Sequence, residues 1–95
     1  MIESEKLLEK KLGKAIGDLG GLCWKLFPIH ITGLPDRLCL LPGGRVLFVE
    51  LKTTDKKATS RQLYVHAQLR ALGFQVAIID TTDGINDIIK EYGLQ

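Results

Sequence analysis

The stretch that decides the fold is GLPDRLCLLPGGRVLFVELKT, residues 33–53. Two apolar runs, 37–41 and 45–52, flank the turn-forming residues 42–44, and this pattern predicts a β-hairpin. The second run is apolar on both faces until Glu50, as in a strand that is covered on both sides. We therefore expect a central strand that ends in charged residues.

The length of the hairpin loop decides which side chains share a face of the sheet. A two-residue turn would direct Asp36 away from Glu50. A three-residue loop, made of a type I turn followed by a left-handed Gly44, pairs Leu41 with Arg45 and places Asp36 opposite Glu50. We predict the three-residue loop, because proline and glycine suit its first and last positions.

The rest of the chain alternates helical and strand patterns. Apolar periodicity and turn residues predict these elements around the hairpin: a helix over 3–18, a short strand over 22–27, a helix over 60–72, a strand over 74–80, and a last helix from Thr82 or Asp83 to Tyr92. The order predicts an α/β fold with a mixed sheet of three or four strands flanked by helices. Because 95 residues cannot enclose a second core, we expect one domain over 1–95.

Composition excludes several classes of protein. The chain is 45% hydrophobic and 25% charged, which is typical of a globular protein and excludes disorder and coiled coil. It contains no apolar run long enough for a membrane helix, and its charged N-terminus lacks a signal core, so we expect a cytoplasmic protein. Cys23 and Cys39 lack metal or redox spacing, and we expect reduced thiols.

Positive charge is concentrated in the middle of the chain. Six Lys or Arg residues lie between Arg45 and Arg70, against Glu50 and Asp55. This excess indicates a surface for a polyanion. A solvated face of mixed charge explains it equally well.

Three charged residues mark the candidate site: Asp36, Glu50 and Lys52. Glu50 and Lys52 project from the same face of their strand, and the predicted register adds Asp36. Two adjacent carboxylates repel each other unless a cation lies between them, and oxygen ligands favour Mg²⁺ or Mn²⁺. A structural cluster of ion pairs is the alternative explanation.

The sequence also resembles a known family. L-P-D at 34–36 and F-V-E-L-K at 48–52 look like the PD-(D/E)XK nuclease core, and 33–53 together with 61–80 closely resembles the VRR-NUC family. The resemblance is to the short stand-alone members of phages and bacteria, and it spans nearly the whole chain. It implies a restriction-endonuclease-like fold and metal-dependent hydrolysis of DNA.

The resemblance assigns roles to residues of the hairpin and the helix after it. Asp36 and Glu50 match the metal-binding acids, Lys52 matches the motif lysine, and the Leu51 carbonyl would be a further metal ligand. Gln62 matches a catalytic-site glutamine, although it also completes a capping box at the start of its helix. Both roles can coexist.

The family also places an acid on the first helix. Glu9 stands eleven residues before Gly20, which matches the spacing in related junction resolvases, and we expect it to bind metal. Glu5 lies one turn earlier on the same face and is the alternative. Either residue could instead be an ordinary exposed acid.

Other residues near these motifs have weaker assignments. Lys56, Lys57 and Arg61 follow the central strand and are expected to contact DNA phosphates. We expect His66 to lie on the surface, with contact to DNA as the alternative. We expect Trp24 to lie in the core, with a place near the mouth of the site as the alternative.

Together these features predict a structure-selective DNA endonuclease that uses Mg²⁺ or Mn²⁺ and no organic cofactor. By analogy with the family, we expect it to cleave four-way (Holliday) junctions as a homodimer in a bacterial or phage-infected cytoplasm. The alternatives are a nonspecific or flap-directed nuclease, a noncatalytic DNA-binding module, and a structural interaction domain.

Overall fold

A computed structural model describes residues 4–27, 30–53 and 56–93. The elements are α1 (Glu5–Asp18), β1 (Leu22–Lys25), β2 (Arg37–Leu41), β3 (Arg45–Leu51), α2 (Ser60–Ala71), β4 (Gln75–Ile79) and α3 (Thr82–Gly93). Their order confirms the predicted α/β arrangement. Ser4 caps α1 by accepting from the Leu7 N–H, so the helix begins at Glu5, and residue 3 of the predicted helix lies outside the described residues.

The four strands form one mixed sheet in the order β1-β2-β3-β4. The first three strands are antiparallel, whereas β3 and β4 are parallel because α2 carries the chain back across the sheet. The apolar strand β3 is therefore central, as its sequence predicts.

The hairpin has the predicted register. Leu41 pairs with Arg45 across a three-residue loop, and extending the ladder by one step places Asp36 opposite Glu50. The predicted type I turn is wrong, because Gly43 has a φ of 82° where that turn needs about −90°. Proline followed by a positive-φ glycine is the type II pattern, and the left-handed Gly44, with a φ of 72°, is confirmed.

The apolar core lies between the sheet and the helices α1 and α3. Side chains from every second position of β3 meet those of α1, and the core contains Leu8, Leu12, Ala15, Ile16, Cys39, Leu41, Leu47, Val49, Leu51, Ile79, Ile85, Ile88 and Tyr92. On the opposite face, α2 packs beside β4 and buries Val65 and His66. The sheet therefore has one apolar face and one face that carries Glu50.

Two burial predictions are wrong. Trp24 is 52% exposed, because β1 is an edge strand and α2 packs at the other end of the sheet. His66 is fully buried, because it lies on the side of α2 that faces Glu50.

Cys23 lies opposite Cys39 across β1 and β2, and both thiols are free. None of the helices in the described part of the chain is long and apolar enough to cross a membrane.

Candidate active site

The site is built at the open end of the hairpin. Asp36 comes directly before β2, and Glu50 is the penultimate residue of β3. The strand register sets the two residues opposite each other on one face of the sheet, and the charge of Asp36 acts on Glu50. Asp36 Oδ2 also accepts a hydrogen bond of 2.9 Å from the Leu51 N–H. This bond fixes the Asp36 side chain over the end of the central strand.

Glu50 is surrounded on the α2 face of the sheet. Its side chain is 1% exposed, and Oε2 accepts a 3.1 Å hydrogen bond from Gln62 Nε2 and lies 3.4 Å from Lys52 Nζ. Burial, followed by the charge of Asp36 and a hydrogen bond to it, raises the pKa of Glu50 to about 7, against the opposing effect of Lys52. One lysine therefore does not neutralise the two acids.

The donor set fits a hard divalent cation. Asp36 and Glu50 supply carboxylate oxygens, and Glu50 Oε1 is buried without a hydrogen-bond partner in the described residues. Mg²⁺ and Mn²⁺ prefer such oxygen ligands. A cation between the two groups would remove their mutual repulsion. Leu51 is correctly placed at the end of β3, and its carbonyl remains a predicted ligand.

Glu9 lies in the same groove as Asp36 but has a different partner. Its Oε2 lies 2.7 Å from an Arg37 nitrogen, and Arg37 also donates a 3.1 Å hydrogen bond to the Asp36 carbonyl. Glu5 lines the same groove. Within the described residues, no three His, Cys, Asp or Glu side chains are arranged to hold a metal, so metal binding by Glu9 remains a prediction.

Arg37 is a site residue that the sequence analysis missed. It is buried on the α1 face of β2, and it joins the helix acid to the backbone of Asp36. A charged residue in an otherwise apolar strand, directly after Asp36, was the available signal.

Gln62 makes both of the contacts that its sequence context allows. Its Oε1 accepts from the Thr59 N–H at 2.9 Å, which completes the capping box, while its Nε2 donates to Glu50. The helix cap therefore orients the amide toward the acid.

His66 is the second residue that α2 presents to Glu50. Its Nε2 lies 3.8 Å from Glu50 Oε1, and neither ring nitrogen has a hydrogen-bond partner in the described residues. Burial and the positive charges of Arg70 and Lys52 lower the pKa of His66, which favours the neutral ring. Its position four residues after Gln62 was the available signal.

The basic residues that follow β3 are exposed at the surface. Lys56, Lys57 and Arg61 are exposed, and their contact with DNA remains a prediction. Arg61 donates a 3.3 Å hydrogen bond to the Thr32 carbonyl and stacks over the Tyr64 ring. Arg61 therefore braces the loop that leads into the site.

Comparison with known proteins agrees with this geometry. A solved structure described as a VRR_NUC domain matches with a TM-score of 0.86 and 31% identity, over 93% of this chain and 96% of that one. The chain belongs to the VRR-NUC family. A curated relative of this VRR-NUC chain, "Putative nuclease p44" of Acyrthosiphon pisum secondary endosymbiont phage 1, is 42% identical over 79 residues, which are 83% of this chain and 85% of the relative.

No family model matches the sequence. The two matches nevertheless confirm the predicted family and its restriction-endonuclease-like fold, and they support a nuclease identity for this VRR-NUC chain.

Proposed function

We propose that this VRR-NUC protein hydrolyses DNA phosphodiester bonds with a divalent cation, Mg²⁺ or Mn²⁺, held by Asp36 and Glu50. The observation that carries the proposal is the pair of adjacent carboxyl groups, one of them buried with an oxygen that has no partner among the described residues. Such a pair is costly unless a cation binds it. The names of the matched proteins support the class of reaction.

Each side chain of the site has a distinct task. The Leu51 N–H orients Asp36, and Gln62 orients Glu50. Lys52 Nζ lies 3.4 Å from Glu50 Oε2. In this proposal its ammonium holds the attacking water and balances negative charge that develops on the phosphate. A divalent cation at this site would polarise the scissile phosphate and lower the pKa of the attacking water. Hydrolysis of this kind needs no organic cofactor.

The proposed substrate is branched DNA, and the proposed assembly is a homodimer. One chain carries one pair of acids, whereas paired cuts across a symmetric four-way junction need two sites, which a twofold dimer supplies. This part of the proposal rests on the resemblance to short VRR-NUC proteins and on the need for two sites. We place the activity in the host cytoplasm, as expected for a phage or bacterial protein of this class.

The test is cleavage of a labelled four-way junction beside linear duplex, flap and single-stranded DNA, each with Mg²⁺, Mn²⁺ or EDTA. Lys52→Ala is the site variant. Lys90→Ala is the matched control, because Lys90 is an exposed lysine on α3. We expect paired symmetric nicks in the junction that disappear in EDTA and with Lys52→Ala but persist with Lys90→Ala.

The other results separate the parts of the proposal. Equal cutting of every substrate would support DNA hydrolysis but contradict the preference for four-way junctions. Binding without cutting under any metal would leave only a DNA-binding module. Sedimentation of the protein with and without junction DNA measures the assembly, and a monomer on the cleaved junction would contradict the homodimer.

A further inference from the structure

A groove between α1 and β1 reaches Asp36, one member of the acid pair. Its first part, of about 560 Å³, is lined by Glu5, Lys6, Glu9, Lys25, Asp36 and Arg37. A second part, of about 490 Å³, shares four of these residues and continues along α1 to Lys10 and Lys14. We call this continuous surface the lysine groove, after Lys6, Lys10, Lys14 and Lys25.

The lysines of α1 form a regular row. Lys6, Lys10 and Lys14 are four residues apart, so they lie on one face of the helix at steps of about 6 Å. Lys25 faces them from β1, where its ammonium lies near the Phe27 ring. All four side chains belong to exposed residues and can adjust to a ligand.

The acids near this row do not cancel its charge. Glu9, which shares the lining, is paired with the buried Arg37. Lys14 meets Asp18 at 2.9 Å, but both side chains are mostly exposed, and such surface pairs exchange readily with solvent. Glu5 lies in the first part of the groove, beside the site.

We propose that the lysine groove binds the phosphate backbone of a DNA strand and leads it to Asp36 and Glu50. The inference rests on the proposed function and extends it to a surface on α1 and β1. The acid pair repels a polyanion, so a positive surface that reaches Asp36 offsets the repulsion and raises the rate of encounter. Ammonium groups on a row of flexible stems suit contacts with phosphates rather than with bases.

The test compares two variants with the same net charge. Lys6→Ala/Lys10→Ala removes two positive charges from the groove, and Lys90→Glu lowers the net charge by the same amount on α3. Binding of fluorescent junction DNA is measured by anisotropy in EDTA from low to moderate KCl. We expect the groove variant to bind the junction roughly tenfold more weakly than Lys90→Glu at low salt. The slope of log K against log salt should fall by about 0.9 for each phosphate that the variant no longer neutralises.

Cleavage with Mg²⁺ gives a second measurement. The groove variant should raise KM while kcat stays near the wild-type value, because neither lysine touches the acid pair. Equal binding of the junction by both variants would overturn the proposal that the lysine groove binds DNA. Wild-type protein that neither binds nor cuts DNA would overturn the proposed function as well, which distinguishes the two failures.

A different observation supports a second inference, which concerns His66. Glu50 Oε1 and both nitrogens of His66 are buried without hydrogen-bond partners in the described residues, and Oε1 lies 3.8 Å from His66 Nε2. Buried polar groups are rarely left unpaired, because an unpaired group loses its hydrogen bonds to water and gains none in return. The separation exceeds a hydrogen bond by under about 1 Å, so a small rotation of the carboxyl group would join the two atoms.

We infer that His66 is a positioning residue for Glu50. The neutral ring donates from Nε2 to Oε1 while Gln62 donates to Oε2, so two residues one helical turn apart orient the carboxylate. Each oxygen keeps a second lone pair for the cation. The lone pair of Nδ1 is then the acceptor that stays without a partner. This inference also rests on the proposed function.

The test uses Mg²⁺ binding by calorimetry with His66→Leu, His66→Gln and Val65→Ala. Val65 is buried beside His66 on α2 and controls for lost packing. We expect His66→Leu to weaken Mg²⁺ binding roughly tenfold, within the range for residues that support a metal ligand. His66→Gln should restore most of the affinity through its amide donor, and Val65→Ala should leave it unchanged.

Nitrogen NMR of the wild-type imidazole keeps the inference testable if His66→Leu does not fold. Addition of Mg²⁺ should shift the Nε2 resonance more than the Nδ1 resonance. Wild-type and His66→Leu proteins with the same Mg²⁺ affinity, or a wild-type ring that does not respond to bound Mg²⁺, would overturn the role of His66. A wild-type protein that binds no Mg²⁺ would overturn the proposed metal dependence itself.

Discussion

The two faces of the central strand bury neighbouring residues equally deeply but for opposite purposes. Val49 is 0% exposed in the apolar layer against α1 and α3, and Glu50 is 1% exposed on the face that carries α2. The alternation of a strand sends successive side chains to opposite faces. One face gains stability from apolar burial, while the other gives up stability to hold two acids together. Four predictions, which use three substitutions, break or sharpen this contrast.

The largest effect is expected from removing a charge on the α2 face. Glu50→Gln should lower kcat for DNA cleavage by about 10³-fold or more, because it removes a carboxylate from the proposed cation site. Single-turnover cleavage measures the loss, and circular dichroism checks the fold. Cleavage within tenfold of wild type would show that the acid pair is structural.

A substitution on the apolar face should lower the stability of the fold and leave catalysis unchanged. Leu12 is fully buried against the sheet, so Leu12→Ala should lower the free energy of unfolding by about 2–5 kcal/mol. Urea denaturation measures this change. At a temperature where the variant remains folded, kcat should stay close to that of the wild type, and a loss similar to that of Glu50→Gln would contradict the separation of the two faces.

Glu9 tests the link between the faces, because its partner Arg37 lies on the α1 side of β2. The 2.7 Å ion pair already neutralises Glu9, so Glu9→Gln should reduce cleavage by only about tenfold, much less than Glu50→Gln. The single-turnover cleavage assay used for Glu50→Gln measures this loss. Equal losses in the two variants would instead support Glu9 as the metal ligand that the resemblance implies.

The smallest effect concerns stability without metal. Burial and Asp36 raise the pKa of Glu50 to about 7 from an ordinary value of 4.5, so its ionisation costs folding free energy as the pH rises through that window. In EDTA at pH 8, Glu50→Gln should therefore be more stable than the wild type by about 1 kcal/mol.

Thermal unfolding in EDTA at pH 8 and pH 5 measures this difference. The advantage of the variant should shrink at pH 5, where Glu50 is largely protonated in the folded protein. An advantage that is independent of pH would show that repulsion between the acids is not its cause.

Local patterns predicted the part of the site that the hairpin builds. The length of the loop and the period of two along the strands fix which residues are opposite each other, so Asp36 and Glu50 could be paired from sequence. The turn type was wrong, because two successive glycines can adopt positive φ at little cost and either pattern closes the loop.

Long-range packing could not be derived in the same way. The exposure of Trp24 depends on how far α2 extends over the sheet, and the burial of His66 depends on the rotation of α2 about its axis. Arg37 was missed because its partner, Glu9, is distant in sequence and is reached only when α1 packs on β2.

The sequence by itself thus determined the order of elements, the hairpin register and the pairing of the two acids, because these follow from local periodicity and loop length. Only the tertiary structure decided that His66 joins Gln62 beside Glu50, that Arg37 holds Glu9, and that the α1 lysines line a groove that reaches Asp36. Those arrangements depend on where each helix settles against the sheet, which is set by the packing of the whole core rather than by any one segment.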